Sequence, residues 1–241
     1  MKTGLRGYLQ ELSISFKKMN AIKSIALDAE YVTPFIPKKA ALLFINSYES
    51  TNFSLGEGPC NDGITMKTKL EALGYSCYVY YDVEAHQFIQ LMLSFTHAPF
   101  DKLVIYFSGH GSSVKDISDD EVDGRDEALV FKDASILDDD LRHLIRTQIK
   151  NLILLIDCCH SGSVFDLSDE KNVLLISAAN DDETAKQTRI ERKEQGVFTY
   201  YFWKLIDTKK PIIEIKDKLN SKLTKYKQRC VISGGCVDAK L

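Results

Sequence analysis

Leu152-Ile153-Leu154-Leu155-Ile156-Asp157-Cys158-Cys159-His160-Ser161-Gly162 is the stretch that decides the fold. Its five leading apolar residues are too few for an ordinary helix and rich in Ile and Leu, the pattern of a strand buried on both faces. An acid, two thiols, an imidazole, a hydroxyl and a glycine follow at once. That is where an α/β sheet carries its ligand site, outside the carboxyl ends of its strands. Asp101-Lys102-Leu103-Val104-Ile105-Tyr106-Phe107 repeats the shape and stops at Ser108-Gly109-His110-Gly111. Glycines on either side let the backbone take that imidazole round a tight loop. Two buried strands therefore bring His110 and a cysteine to one edge of a sheet.

Working outward, Lys39 to Ile45 predicts a first strand, and Gly56, Gly58 and Pro59 break the chain before a helical pattern through Ile64, Met66, Leu70 and Leu73 that stops at Gly74. Tyr75 to Tyr81 predicts a second strand and residues 84–97 a second helix. The acidic connection Asp116 to Asp126 reads as a loop and Ala128 to Phe131 as a short strand. Ile136-Leu137-Asp138-Asp139-Asp140 opens a helix whose acidic first turn suits its dipole. Val173 to Ser177 is a further strand, and residues 181–195, with Lys186, Arg189, Arg192 and Lys193, read as a charged loop. Phe198 to Ile206 and Ile212 to Leu223 have helical spacing, and Cys230-Val231-Ile232-Ser233 reads as an edge strand. The βαβα rhythm predicts an α/β fold, a mostly parallel sheet of about six strands with helices on both faces. Residues 1–38 read as an N-terminal extension and 39–241 as one domain.

A net charge of −3 and a pI near 6.0 give no basic surface for nucleic acid. No run of 18 apolar residues points to a membrane span, and the N-terminus lacks a signal peptide's apolar core. The six cysteines, at 60, 77, 158, 159, 230 and 236, have neither the pairing nor the spacing of a disulfide framework or a zinc site. The expected compartment is a reducing one, the cytoplasm with or without the nucleus.

Attack on an amide needs a thiolate, and a neighbouring imidazole that takes the thiol proton provides it. Backbone N–H groups in a glycine-containing loop, here Gly111 together with Cys159, would face the oxyanion. Taken singly, a buried Cys or a His in a glycine-rich turn is more often structural. Together, at matched strand ends and 49 residues apart, His110 and Cys159 read as a nucleophilic pair; the spacing is close to the roughly 50 of caspase-type proteases. Both thiols lie at the strand end, so the residues alone do not choose between Cys158 and Cys159.

Tyr106-Phe107-Ser108-Gly109-His110-Gly111 and Asp157-Cys158-Cys159-His160-Ser161-Gly162 resemble the two signature blocks of metacaspases, caspase-fold cysteine peptidases. Asp123 to Leu129, Ile136 to Asp140 and Ser177 to Ala185 agree with three more blocks. The resemblance runs from about residue 39 to 206. It implies a caspase-like sandwich, with a large-subunit-like part to about residue 168 and a small-subunit-like part after it. By position in the pattern it makes Cys159 the nucleophile and His110 the base. His160 is then a motif residue to which the pattern gives no catalytic role, and it, like His86, His97 and His143, is of a kind more often structural than catalytic.

The resemblance also implies an acidic pocket of Asp62, Ser108 and Asp157, hence protein or peptide substrates cleaved after Arg or Lys; a guanidinium or ammonium would supply the counter-charge that a buried carboxylate pair needs. Pro59 stands where metacaspases often carry a cysteine, with Cys60 next to it. Asp126, Asp138, Asp139 and Asp166 match an activating calcium site, and carboxylate oxygens are the ligands calcium takes. Self-cleavage after Lys171 or within Lys186 to Lys193, and a monomeric state, complete the expectation. The alternative is a caspase-fold scaffold or regulator with an idle dyad; cleavage after Asp is disfavoured because the cysteine block carries no basic residue.

Overall fold

The structure is a computed structural model describing residues 37–115, 125–145, 149–161, 170–180 and 183–241, with backbone only at 115, 125, 126, 139 and 143. The expected extension therefore lies outside the described residues, apart from its last two. In chain order, β1 (Lys39–Ile45), α1 (Gly58–Ala72), β2 (Ser76–Tyr81), α2 (Ala85–Thr96) and β3 (Lys102–Ser108) come first. Next come β4 (Gly111–Lys115), β5 (Arg125–Val130), β6 (Ser135–Leu137), α3 (Asp138–Leu144), β7 (Leu152–Asp157) and β8 (Val173–Ser177). The last part holds β9 (Gln187–Ile190), β10 (Lys193–Gly196), α4 (Val197–Leu205), a 3-10 turn (Ile212–Ile215), α5 (Lys216–Leu223) and β11 (Val231–Ser233).

Six strands form one sheet in the order β11-β8-β7-β3-β1-β2. All neighbours are parallel except β11, which runs antiparallel to β8. The two decisive stretches are adjacent in its centre, with Leu103 to Phe107 and Leu152 to Ile156 each at most 1 % exposed. Burying a side chain of that size stabilises by roughly 1.5–3 kcal/mol, so these two runs hold the sheet.

The strand order also places the helices. From β1 the chain moves outward to β2, then back across β1 to β3, and right-handed crossovers put α1 and α2 on opposite faces. α4 and α5 pack together on the α1 side, whereas α3 packs on α2.

Two departures from the sequence reading matter for the site. β4, β5 and β6 form a separate antiparallel sheet, and Ser135–Leu137 is its last strand, so the helix begins only at Asp138. Residues 187–196 are a hairpin, not a loop. Its two-residue turn has Glu191 at φ 51° and Arg192 at φ 69°, the left-handed pair a tight hairpin requires, without the Asn or Gly that would announce it.

Candidate active site

The register aligns the strand ends. Ser108 closes β3 opposite Asp157, which closes β7, and Ile45 of β1 lies opposite Ser108 on the other side. His110 and Cys159 each follow two residues beyond. The two loops are pressed together: a Cβ added to Gly111 would sit 1.9 Å from the Cys159 carbonyl oxygen and 2.8 Å from Cys158 Sγ. A Cβ on Gly109 would come within 2.6 Å of the Tyr48 hydroxyl. Neither glycine has a positive φ, so both are demanded by close approach and not by the turn conformation.

His110 is partly exposed, and its Nε2 lies 2.8 Å from the Phe53 carbonyl oxygen. A carbonyl only accepts, so Nε2 carries a hydrogen, and in the neutral ring this leaves Nδ1 with the lone pair. The Tyr48 ring lies against the imidazole with centroids 4.8 Å apart. The His110 main-chain N–H donates to the Tyr48 hydroxyl at 2.7 Å.

The two thiols differ in surroundings. Cys158 is 1 % exposed, and burial pushes its thiol well above the usual range, with the neighbouring Cys159 adding to the shift. Cys159 is partly exposed, its Sγ 3.9 Å from the Ala185 carbonyl oxygen. Its thiol is also pushed up, first by burial and then by the Asp157 charge, against opposing contributions from the Ala185 contact and Lys186. The resting thiol is therefore protonated. His160 adopts a left-handed φ of 49° and donates its N–H to the Glu183 carbonyl at 3.2 Å. Ser161, fully buried, donates to the Cys158 carbonyl at 2.9 Å and accepts the Ala179 N–H at 3.4 Å. It pins the loop.

Asp62, from α1, and Asp157, at the end of β7, are 2 % and 7 % exposed. Both converge on Gly196, where a Cβ would lie 2.6 Å from Asp157 Oδ2 and 2.8 Å from Asp62 Oδ2. The Gly196 N–H donates to Asp62 Oδ2 at 2.7 Å, and the Thr199 hydroxyl donates to Asp157 Oδ2 at 2.7 Å. Tyr106 in turn donates to Thr199 at 2.8 Å, and the Ser108 side chain, 4 % exposed, also bonds the Tyr106 phenol. Asp62 Oδ1 is buried with no partner among the described residues. Burial pushes the Asp157 carboxyl up to about 6. The Asp62 carboxyl is also pushed well up, first by burial and then by the Asp157 charge. Asn61 and Gln187 strap the hairpin over the start of α1, donating to the carbonyls of Glu194 and Leu55, each at 2.9 Å.

Gly196, Thr199 and the Phe53 carbonyl are site components the sequence reading missed. The first two sit more than thirty residues beyond the cysteine block, and the third acts through its main chain, which leaves no side-chain signal. Of the four expected calcium ligands, Asp166 lies outside the described residues, as do the side chains of Asp126 and Asp139. Asp138 is the first residue of α3, with its side chain buried.

A family model described as Caspase domain matches residues 38–238. Metacaspase-3 of Arabidopsis thaliana is 35 % identical over 144 residues, 46 % of this chain and 40 % of that protein. Metacaspase-1 of Plasmodium falciparum is 31 % identical over 166 residues, 57 % of this chain and 26 % of that protein. The chain thus spans well under half the length of these relatives. A crystal structure of a Geobacter sulfurreducens protein shares the fold, with a TM-score of 0.63 at 20 % identity over 82 % of this chain and 93 % of that one. The match across nearly the whole described region, with metacaspases among the similar proteins, leads to one conclusion: the chain belongs to the caspase domain family and is metacaspase-like within it.

Proposed function

We propose that this protein is a cysteine endopeptidase that hydrolyses peptide bonds after Arg or Lys, with Cys159 as nucleophile and His110 as base. The observation that carries the specificity is the orphaned Asp62 Oδ1 beside Asp157 in a buried site. An isolated buried carboxylate pair is costly, and a guanidinium or ammonium brought in by a substrate supplies both the missing hydrogen bonds and the counter-charge. A substrate aspartate would add a third carboxylate.

The chemistry follows from the tautomer. His110 Nδ1 takes the thiol proton, the Cys159 sulfur attacks the carbonyl carbon, and the oxygen gains charge facing the N–H groups of Gly111 and Cys159. The imidazolium keeps Nε2–H on the Phe53 carbonyl, does not turn, and gives the Nδ1 proton to the leaving amine. Water then hydrolyses the acyl-enzyme. Exposure favours Cys159 over the enclosed Cys158 as the reacting thiol.

The same proposal includes calcium stimulation through Asp126, Asp138, Asp139 and Asp166, whose carboxylates are hard oxygen donors suited to that ion. It also includes self-cleavage after Lys171 or in the basic hairpin. Fluorogenic peptides ending in Arg, Lys or Asp, tried with and without millimolar calcium on wild type and Cys159→Ala, test it. Hydrolysis of the basic peptides that disappears in the variant is expected. Activity on the Asp peptide alone overturns the pocket assignment, and silence towards all three would favour the scaffold reading.

A further inference from the structure

We infer that Tyr48 is a positioning residue for His110 and that Asp82 locks Tyr48 in place; the inference rests on the peptidase reading and extends it to the groups that hold the base still. Tyr48 follows β1 and is completely buried. Its hydroxyl accepts the His110 main-chain N–H at 2.7 Å and donates to the Val130 carbonyl at 2.7 Å, while the Val130 N–H donates to the His110 carbonyl at 3.1 Å. These three bonds close a ring joining the ends of β1, β3 and β5. Burial drives the phenol far above its usual range, so it stays neutral and can donate and accept at once.

The same turn delivers the second restraint on the imidazole. The Thr51 hydroxyl and N–H both donate to the Tyr48 carbonyl, at 2.7 Å and 3.1 Å, and the Tyr48 and Phe53 rings pack at 5.2 Å. Phe53 then presents its carbonyl to Nε2. His110 is thus held at its main-chain N–H, its ring face and its Nε2, all by residues 48–53.

The turn itself is strained and clamped. Tyr48 and Ser50 have φ of 55° and 66°, and Asp82, at the end of β2, has φ 46°. Asp82 Oδ1 accepts the Tyr48 N–H at 2.7 Å, and Oδ2 accepts the Glu49 N–H and the Lys132 ammonium, each at 2.9 Å. Left-handed backbone at bulky residues persists only where its surroundings fix it, and it concentrates at functional sites. An aromatic needed only for packing would require neither the hydroxyl nor this turn.

Tyr48→Phe keeps the ring and removes the bridging hydroxyl. Its kcat is expected to fall roughly 10- to 100-fold, the scale of a slightly misplaced catalytic group, with KM for an Arg peptide unchanged within about twofold. In the full chain labelled with 15N-histidine, the His110 signals, assigned with His110→Gln, are expected to lose the single Nε2–H tautomer. Asp82→Asn, away from the imidazole, is expected to move both readouts in the same direction by less. A folded Tyr48→Phe with kcat within twofold of wild type overturns the inference, as does a raised KM at constant kcat. If the wild type hydrolyses no peptide, it is the peptidase reading that fails, and the tautomer decides the inference alone: its retention in both variants sinks it and its loss upholds it. If Tyr48→Phe does not fold, Asp82→Asn carries the same two readouts.

Discussion

Replacing Asp157 by Asn removes a carboxylate that the fold holds in the wrong environment for its charge. Burial raises that carboxyl to about 6, roughly two units above an unfolded aspartate. At about 1.36 kcal/mol per unit the displacement amounts to ~3 kcal/mol. Because the folded value is the higher one, the stabilising contribution is fully present below pH ~4 and is lost as the pH rises through about 6. Asparagine loses no proton over that range, and its side-chain oxygen can still accept from Thr199. The variant is therefore expected to gain on the unliganded wild type between pH 4 and 7, reaching an advantage of up to ~3 kcal/mol at pH 7.5. With a urea slope of roughly 2 kcal/mol per molar, that is a midpoint difference of about 1.5 M. The same variant should lose hydrolysis of Arg peptides while iodoacetamide still alkylates Cys159. Saturating N-acetyl-arginine amide, a fragment with the proposed P1 side chain, should stabilise the wild type at pH 7.5 and leave the variant unmoved. Urea midpoints that differ by a constant amount across pH 4 to 7 would refute the buried-carboxylate reasoning, and with it the physical basis for a basic P1 residue.

Two further outcomes follow from the loop packing and the thiol environment. Gly111→Ala puts a methyl group 1.9 Å from the Cys159 carbonyl oxygen; thermal melting should show a loss of roughly 1–3 kcal/mol, the usual scale of overpacking, and peptide hydrolysis should fall with it. Alkylation of Cys159 in the resting protein should keep rising through pH 9, since burial and Asp157 hold the thiol above its usual value, and a rate already flat at pH 7 would contradict the protonated resting state.

The central sheet was legible because β1, β3, β7 and β8 are short apolar runs that end in glycine or polar residues, and strands buried on both faces write themselves that way. β9 and β10, Gln-Thr-Arg-Ile and Lys-Glu-Gln-Gly, hide because they stand off the core with most side chains exposed or half-exposed. β4 begins directly at the loop carrying His110, so its Gly-Ser-Ser reads as part of that loop. Within the site, the positions brought together at strand ends, His110, Cys159, Ser108 and Asp157, were visible through their runs. Asp62 came from the family pattern alone, since nothing about a helix beginning Gly-Pro-Cys-Asn-Asp shows which strand end its carboxylate meets. The residues alone left the two adjacent thiols undistinguished, because what separates them is burial, Cys158 being enclosed and Cys159 partly exposed, and two identical neighbours carry no sign of it.

The carboxylate pair and its partners come from both sides of residue 171. Asp62, Ser108 and Asp157 precede it, whereas Gly196 and Thr199 follow it. Lys171 is exposed between β7 and β8, which pair residue for residue from Leu152↔Val173 to Ile156↔Ser177, and the strap from Asn61 to Glu194 ties the later segment to the earlier one. A chain severed at Lys171 would therefore remain laced together as one two-piece particle. The cut would show as two bands after denaturation and as an unchanged elution volume before it, and neither fragment prepared alone would hold the carboxylate pair together with Gly196 and Thr199.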